Sequence, residues 1–392
     1  MQPAHGAGRP RNHRGRLACV ALLALAACMT VGASPYVPSD DNAVLGRLSA
    51  GTTHTSLAVR QQADARLDVA LPLAQFYITQ ARASGDLRFL GYAEAVLQRW
   101  IRQSPPQPQA LVLHATILQS RHSFDAALGE LDRALRARPD DAQAWLTRAT
   151  VLRVLGRYSE AAVACAQFAR RADPGVSLIC EQSIRGLAGH LESAYATLAG
   201  LSTQGMLDPE RAWCDSELGE MAVRLGRDAD AERWFRQALT LSPNDFYVRA
   251  AYADLLLRAH RSAEVLELLK GQESIEPLLL RLAIAQKQQQ DPGLARSGEL
   301  LQAAFAAEAE RGEPVHLREQ ARFLLEVQNR PPAALAAALA DWAVQREPDD
   351  ALILVDAARA AGAPQQAQPA LEFARRQGLR DVRLPAAAGG SS

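Results

Sequence analysis

The sequence predicts an all-α solenoid of about nine helical hairpins, and three observations carry that prediction. Aromatic residues make up only 5% of the 392 residues, β-branched runs are few, and Ala, Leu, Arg, Gln and Glu dominate, a composition that favours helices over strands. The second observation is a fixed internal offset: His114-Ala115-Thr116-Ile117-Leu118 recurs one step later as Arg148-Ala149-Thr150-Val151-Leu152. Phe124 and Tyr158 keep that offset, as do Ala127 and Ala161, and Gly219 and Ala253. The third is punctuation. Gly156 and Gly226 sit where a helix pair must turn and a left-handed backbone is needed, and Pro243 stops a helix and starts the next connection.

Taken in order, the chain begins with an export signal. Arg9, Arg11, Arg14 and Arg16 form a basic leader before an uncharged apolar run, Leu17 to Ala27. That run is too short for a permanent bilayer span but suits a signal core. Later in the chain no uncharged stretch is long enough to be a candidate spanning helix. Leu25-Ala26-Ala27-Cys28 resembles the lipobox of bacterial lipoproteins, which implies that residues 1–27 are removed and Cys28 carries acyl chains. The alternative is ordinary cleavage after Val31-Gly32-Ala33, with Cys28 discarded. Residues 28–55, with Pro35, Pro38, Asp40 and Asp41, then form a tether; Met29 after the cysteine resembles lipoproteins sent to the outer membrane. Under either cleavage the folded part is exported; a soluble periplasmic or secreted protein is the alternative to an anchored one.

The solenoid is expected over 56–382. Residues 64–106 read as a hairpin with a lengthened turn at Gly85-Asp86. Segment 142–175 carries Trp145, Ala149, Leu152, Gly156, Ala161, Cys165 and Pro174; segment 212–245 carries Leu218-Gly219, Ala222, Leu225-Gly226, Ala231, Phe235, Ala238-Leu239 and Pro243. Small residues at Gly219 and Ala231 let two helices cross closely, while Phe235 and Cys165 fill the space toward the next hairpin. Segment 176–211 keeps Gly189, Ala194 and Leu198. Segments 246–275, 276–313, 314–348 and 349–382 are periodic with drifting spacing. Residues 383–392, rich in Ala, Gly and Ser, are expected to be a disordered tail.

These units resemble the tetratricopeptide repeat (TPR). The resemblance implies a right-handed superhelix whose first helices line a concave face, each hairpin touching only its neighbours. It also implies a protein or peptide partner in that groove. The groove is expected to present Thr116, Gln119, Thr150, Arg153, Glu220, Arg224, Asp254 and Arg258. In TPRs that clamp a C-terminal carboxylate these positions carry Lys and Asn; here no such pair occurs, so a carboxylate clamp is not expected. Similar TPR lipoproteins help to build envelope complexes, which makes an assembly scaffold the expected role.

Catalytic signatures are absent. GxxxxGK[ST], GxSxG and HExxH do not occur. The eight histidines are dispersed, so no metal, cofactor or catalytic residue is expected; His114 is placed at the start of a first helix, and His190 and His260 in turns. Asp140-Asp141 and Asp349-Asp350 follow prolines and read as helix N-caps. Cys165 and Cys180 lie on helices that should touch, and are candidates for a disulfide; the alternative is two small buried apolar residues. The five tryptophans are spaced as core residues. The other functional reading is a small-molecule or glycan-binding protein, or an enzyme, using the groove; it requires a closed pocket with convergent titratable groups.

Charge sharpens the partner class. The precursor balances 43 basic against 43 acidic residues, 41 of the basic ones arginine. Loss of the leader removes four arginines and no acid, leaving a net charge of −4. A mildly acidic chain argues against nucleic acid or an anionic bilayer as ligand, and membrane contact is expected only through Cys28.

Overall fold

The structure is a computed structural model, and it describes residues 57–311 and 316–385. The chain divides between Thr55 and Ser56, so all described residues belong to the second unit. The signal, the tether and Cys28 lie outside the described residues.

A short helix, α1 (Leu57–Ala65), precedes nine consecutive helical hairpins among the described residues. They are α2 (Leu67–Ser84) with α3 (Arg88–Arg102), α4 (Pro108–Ser120) with α5 (Phe124–Ala137), and α6 (Ala142–Val154) with α7 (Tyr158–Ala169). Next come α8 (Pro174–Leu187) with α9 (Leu191–Ala199), α10 (Asp208–Arg224) with α11 (Asp228–Leu241), and α12 (Phe246–Arg258) with α13 (Ser262–Leu268). The last three are α14 (Glu276–Gln289) with α15 (Leu294–Arg311), α16 (Leu317–Arg322) with α17 (Pro331–Val344), and α18 (Pro348–Ala360) with α19 (Gln368–Gln377). Among the described residues there is no strand. None of the described helices is long and apolar enough to cross a membrane.

The small residues do what their positions predict. A Cβ on Gly219 would lie 2.4 Å from the Phe235 ring, so α10 and α11 cross at a distance only glycine permits. Gly156 and Gly226 turn their hairpins at φ +70° and +72°. Four other hairpin turns place His122, His260, Gln290 and Asn329 at positive φ, where a side chain costs about 1–2 kcal/mol.

Packing departs from a nearest-neighbour solenoid. One continuous core joins Leu111–Leu187 of hairpins two to four to Ala321–Phe373 of hairpins eight and nine. The last two hairpins lie across three successive turns. Phe373 and Arg346 meet Gly156, Gly378 meets Gly189, and Val382 meets Gly226. Backbone bonds fix this register: Arg346 N–H donates to the Val154 carbonyl at 2.8 Å, and Val382 N–H to the Arg224 carbonyl at 3.0 Å. The expectation that each hairpin touches only its neighbours is therefore corrected. The physical reason is the apolar ring of Phe373, which is buried against Gly156 and Tyr158 at the turn edge.

The expected tail boundary at 383 also moves. Arg383 pairs with Asp349 at 2.9 Å and Asp381 at 2.6 Å, and Leu384 packs on the core. Residues 386–392 lie outside the described residues.

Candidate functional site

The surface of interest is the face formed by the first helices α4, α6, α10 and α12. Thr116 and Thr150 occupy equivalent, half-buried positions one repeat apart on α4 and α6. Their hydroxyls donate to the Val112 and Leu146 carbonyls one turn back, at 3.1 Å each. That leaves hydroxyl lone pairs to accept from a ligand. Gln119 is half-buried one turn beyond Thr116. His114 falls in the middle of α4 rather than at its start, half-buried between Glu94 (3.8 Å) and Glu130 (3.4 Å), because α4 begins earlier, at Pro108.

Farther along the face the expected groove residues have partners within the chain. Arg153 reaches Glu217 at 2.6 Å, Glu347 at 3.5 Å and Glu220 at 3.9 Å. Burial opposes its charge, but Glu217 first, then Glu220 and Glu347, hold the guanidinium protonated. Glu220 accepts from the Tyr247 hydroxyl at 2.5 Å; burial and the neighbouring Glu217 push its carboxyl up to about 7. Arg224 is buried, donating to the Gly186 carbonyl. Asp254 is clamped by Arg281 at 2.8 Å and Arg322 at 2.9 Å; although burial works the other way, these two hold its carboxyl well below the usual range. Arg258 stays exposed. The groove expected to take a ligand thus divides. Thr116, Gln119, Thr150 and Arg258 keep accessible surface, whereas Arg153, Glu220, Arg224 and Asp254 tie the chain to itself.

Sequence reasoning missed the other half of these pairs. Glu217 and Glu220 are three apart on α10, a spacing that puts both on one face. Glu347, Arg318 and Arg322 carry no such signal, because their partners lie on other hairpins.

Two other clusters combine titratable groups. Asp341 of α17 and Asp350 of α18 meet through Gln345, whose amide donates to both at 3.1 and 3.0 Å. Burial first, and Asp350 second, push Asp341 up to about 9, so the pair holds a proton at neutral pH. Asp350 is therefore not the simple N-cap expected. Glu347 caps α18, and Asp350 accepts its backbone N–H at 2.7 Å while Arg318 binds the other oxygen at 3.2 Å. Asp141 does cap α6, accepting from the Ala144 N–H at 3.0 Å.

The second cluster is Glu276, Glu308 and His316, whose ligating atoms all lie within 4.8 Å of one another. Against burial, which would lower it, the two carboxylates facing the ring, Glu276 and Glu308, raise His316 to about 10. The nearby half-buried His122 falls to about 4, pushed down first by desolvation and then by the facing His316.

Cys165 and Cys180 are joined, with Cα atoms 5.7 Å apart, tying α7 to α8. Cys214 is buried with a free thiol that burial raises to about 12, which makes it a poor nucleophile. Trp100 and Trp342 are core residues; Trp145, Trp213 and Trp234 are partly buried and pack against the core.

Residues 112–177 match the tetratricopeptide repeat family model. That stretch carries tetratricopeptide repeats. The matched TPR stretch contains α5, α6 and α7 entire, and with them Thr116, Gln119, Thr150 and Arg153. No curated protein matches the chain. Among solved structures it is similar to a human IFIT1 dimer with PPP-AAAA, at 15% identity over 74% of this chain and 68% of that one, TM-score 0.47. It is also similar to Pseudomonas aeruginosa pilF (18% identity, 65% of this chain, 97% of that one, TM-score 0.31). A third likeness is to the P58(IPK) TPR domain (16% identity, 79% of this chain, 96% of that one, TM-score 0.22).

Proposed function

We propose that this chain is an exported, non-catalytic scaffold that binds a protein or peptide partner in the bacterial cell envelope. The observation that carries this reading is the pair Thr116 and Thr150, at equivalent positions of adjacent TPR first helices with Gln119 beside them. These side chains keep polar atoms free to read a backbone, whereas Arg153, Glu220, Arg224 and Asp254 on the same face are satisfied internally. An extended segment laid across α4 and α6 would meet one such position per repeat. The partner therefore engages the N-terminal hairpins, not the whole groove.

Export is supported by the basic leader and apolar run, and by the Cys165–Cys180 bond, since disulfides persist in oxidising compartments. Anchoring rests on Leu25-Ala26-Ala27-Cys28. The ligand-binding or enzymatic alternative has less support. A cavity of about 360 Å³ at the C-terminal end is lined by Val355, Ala367, Leu371 and Pro385, with Arg359 its only charged wall.

A photo-crosslinking residue at Gln119, expressed in the native host, tests the reading. Position 119 is expected to give one discrete protein adduct, and the exposed Val163 on the second helix α7 none. Equal labelling at both positions, or no protein adduct at 119, overturns it.

A further inference from the structure

Glu276 opens α14 and Glu308 lies in the last turns of α15. Because the two helices form a hairpin, the start of one and the end of the other share one end of the pair. His316, which precedes α16, sits at that same end. The His316 Nδ1 lies 2.7 Å from Glu308 Oε1 and 3.0 Å from Glu276 Oε1. The His316 backbone N–H, 3.4 Å from Glu308 Oε2, helps to fix the Glu308 carboxylate.

A ring nitrogen has one proton, and one proton satisfies one acceptor. Glu308 takes it. Glu276 Oε1, aimed at the same nitrogen and buried, is left without a hydrogen bond of its own. A buried carboxylate oxygen without a donor is costly, and two carboxylates facing each other repel. A cation at the centre of the three atoms removes both penalties.

We propose that Glu276, Glu308 and His316 bind one divalent first-row transition ion, zinc in the first instance, and that the ion staples the seventh hairpin to the eighth. Zinc bonds nitrogen and carboxylate oxygen at about 2.0–2.2 Å, so tetrahedral ligand atoms stand about 3.4 Å apart. The observed 2.7 and 3.0 Å need open by about 0.7 and about 0.4 Å, less than an ångström each. An imidazole with two carboxylates suits zinc better than calcium, which takes six to eight oxygens. On binding, the Nδ1 lone pair goes to the metal and any proton held there leaves to solvent. Water fills the fourth position.

The test uses the full chain, stripped with a chelator and dialysed. Zn²⁺ is titrated by calorimetry, and Co²⁺ is followed by its visible absorption. One ion per chain is expected, with Glu276→Gln and His316→Gln each weakening binding by about 100-fold or more and bleaching the cobalt spectrum. Glu276→Gln keeps the side-chain shape, so its circular dichroism should match that of the unmodified chain; it decides the matter if His316→Gln unfolds. Absence of stoichiometric binding, or affinity unchanged in Glu276→Gln, overturns the site and leaves His316 as a proton-bridged ion triad.

Discussion

Replacing Arg153 by methionine separates the two roles that this residue can play on the first-helix face. Methionine retains most of the aliphatic stem and removes the charge. Arg153 is 17% exposed, and Glu217, Glu220 and Glu347 face it from α10 and the start of α18. Without the guanidinium these carboxylates face one another in a half-buried site. Removing one partner of a buried ion pair costs about 3–5 kcal/mol. Glu220, already raised to about 7, takes up a proton and relieves part of the repulsion, which places the expected loss near the low end, about 3 kcal/mol. Urea unfolding at pH 7 measures it as a lower midpoint at unchanged slope. Glu217→Gln in the same chain should recover much of the loss, with a coupling of about 1–3 kcal/mol. A stability within about 0.5 kcal/mol of the unmodified protein, or no coupling to Glu217, would show that Arg153 faces an open groove, and the internal-clamp argument would fail.

Other consequences are simpler to state. Gly219→Leu should lower stability by about 1–3 kcal/mol, because even its Cβ collides with the fully buried Phe235 ring; melts unchanged within about 2 °C would refute that crossing. Asp341 holds its proton in the folded chain up to about 9, whereas an unfolded aspartate titrates near about 4, so folded protein binds the extra proton and its stability falls as pH rises between those values. Asp341→Asn should therefore flatten the decline and melt higher than the unmodified chain at pH 9; parallel pH curves would contradict the buried pair. Cys28→Ser should move the protein from the membrane fraction to the soluble periplasm, and unchanged fractionation would remove the lipid anchor from the account.

How much of this was legible in the sequence differs by element. The repeat offset and the small residues Gly219 and Ala231 placed the central hairpins, because each depends on contacts within one repeat; that the Phe235 ring lies against Gly219 is seen only in the structure. Spacing drifted in the later hairpins partly because His260, Gln290 and Asn329 do a glycine's work at the turns, so the punctuation that marks Gly156 and Gly226 is missing. The groove was half legible. Periodicity assigns Thr116, Thr150 and Arg153 to one helix face, but it cannot say that Glu347 arrives from the start of α18, six hairpins later, to occupy it. Nor can it show that Glu276, Glu308 and His316 converge, since their spacing follows helix lengths rather than a ligand motif.

The account depends most on the last two hairpins being seated across the turns of the earlier ones. Hydrogen exchange read by mass spectrometry tests this on peptides covering 345–350 and 379–384. Near a chain end, unattached amides exchange at close to the free rate, with an opening free energy near zero. Because the Arg346 and Val382 amides are bonded to the Val154 and Arg224 carbonyls, both peptides should retain protected amides with stability approaching that of the α10–α11 core. Complete exchange of both within seconds would contradict the account, leaving the first-helix face open along its whole length.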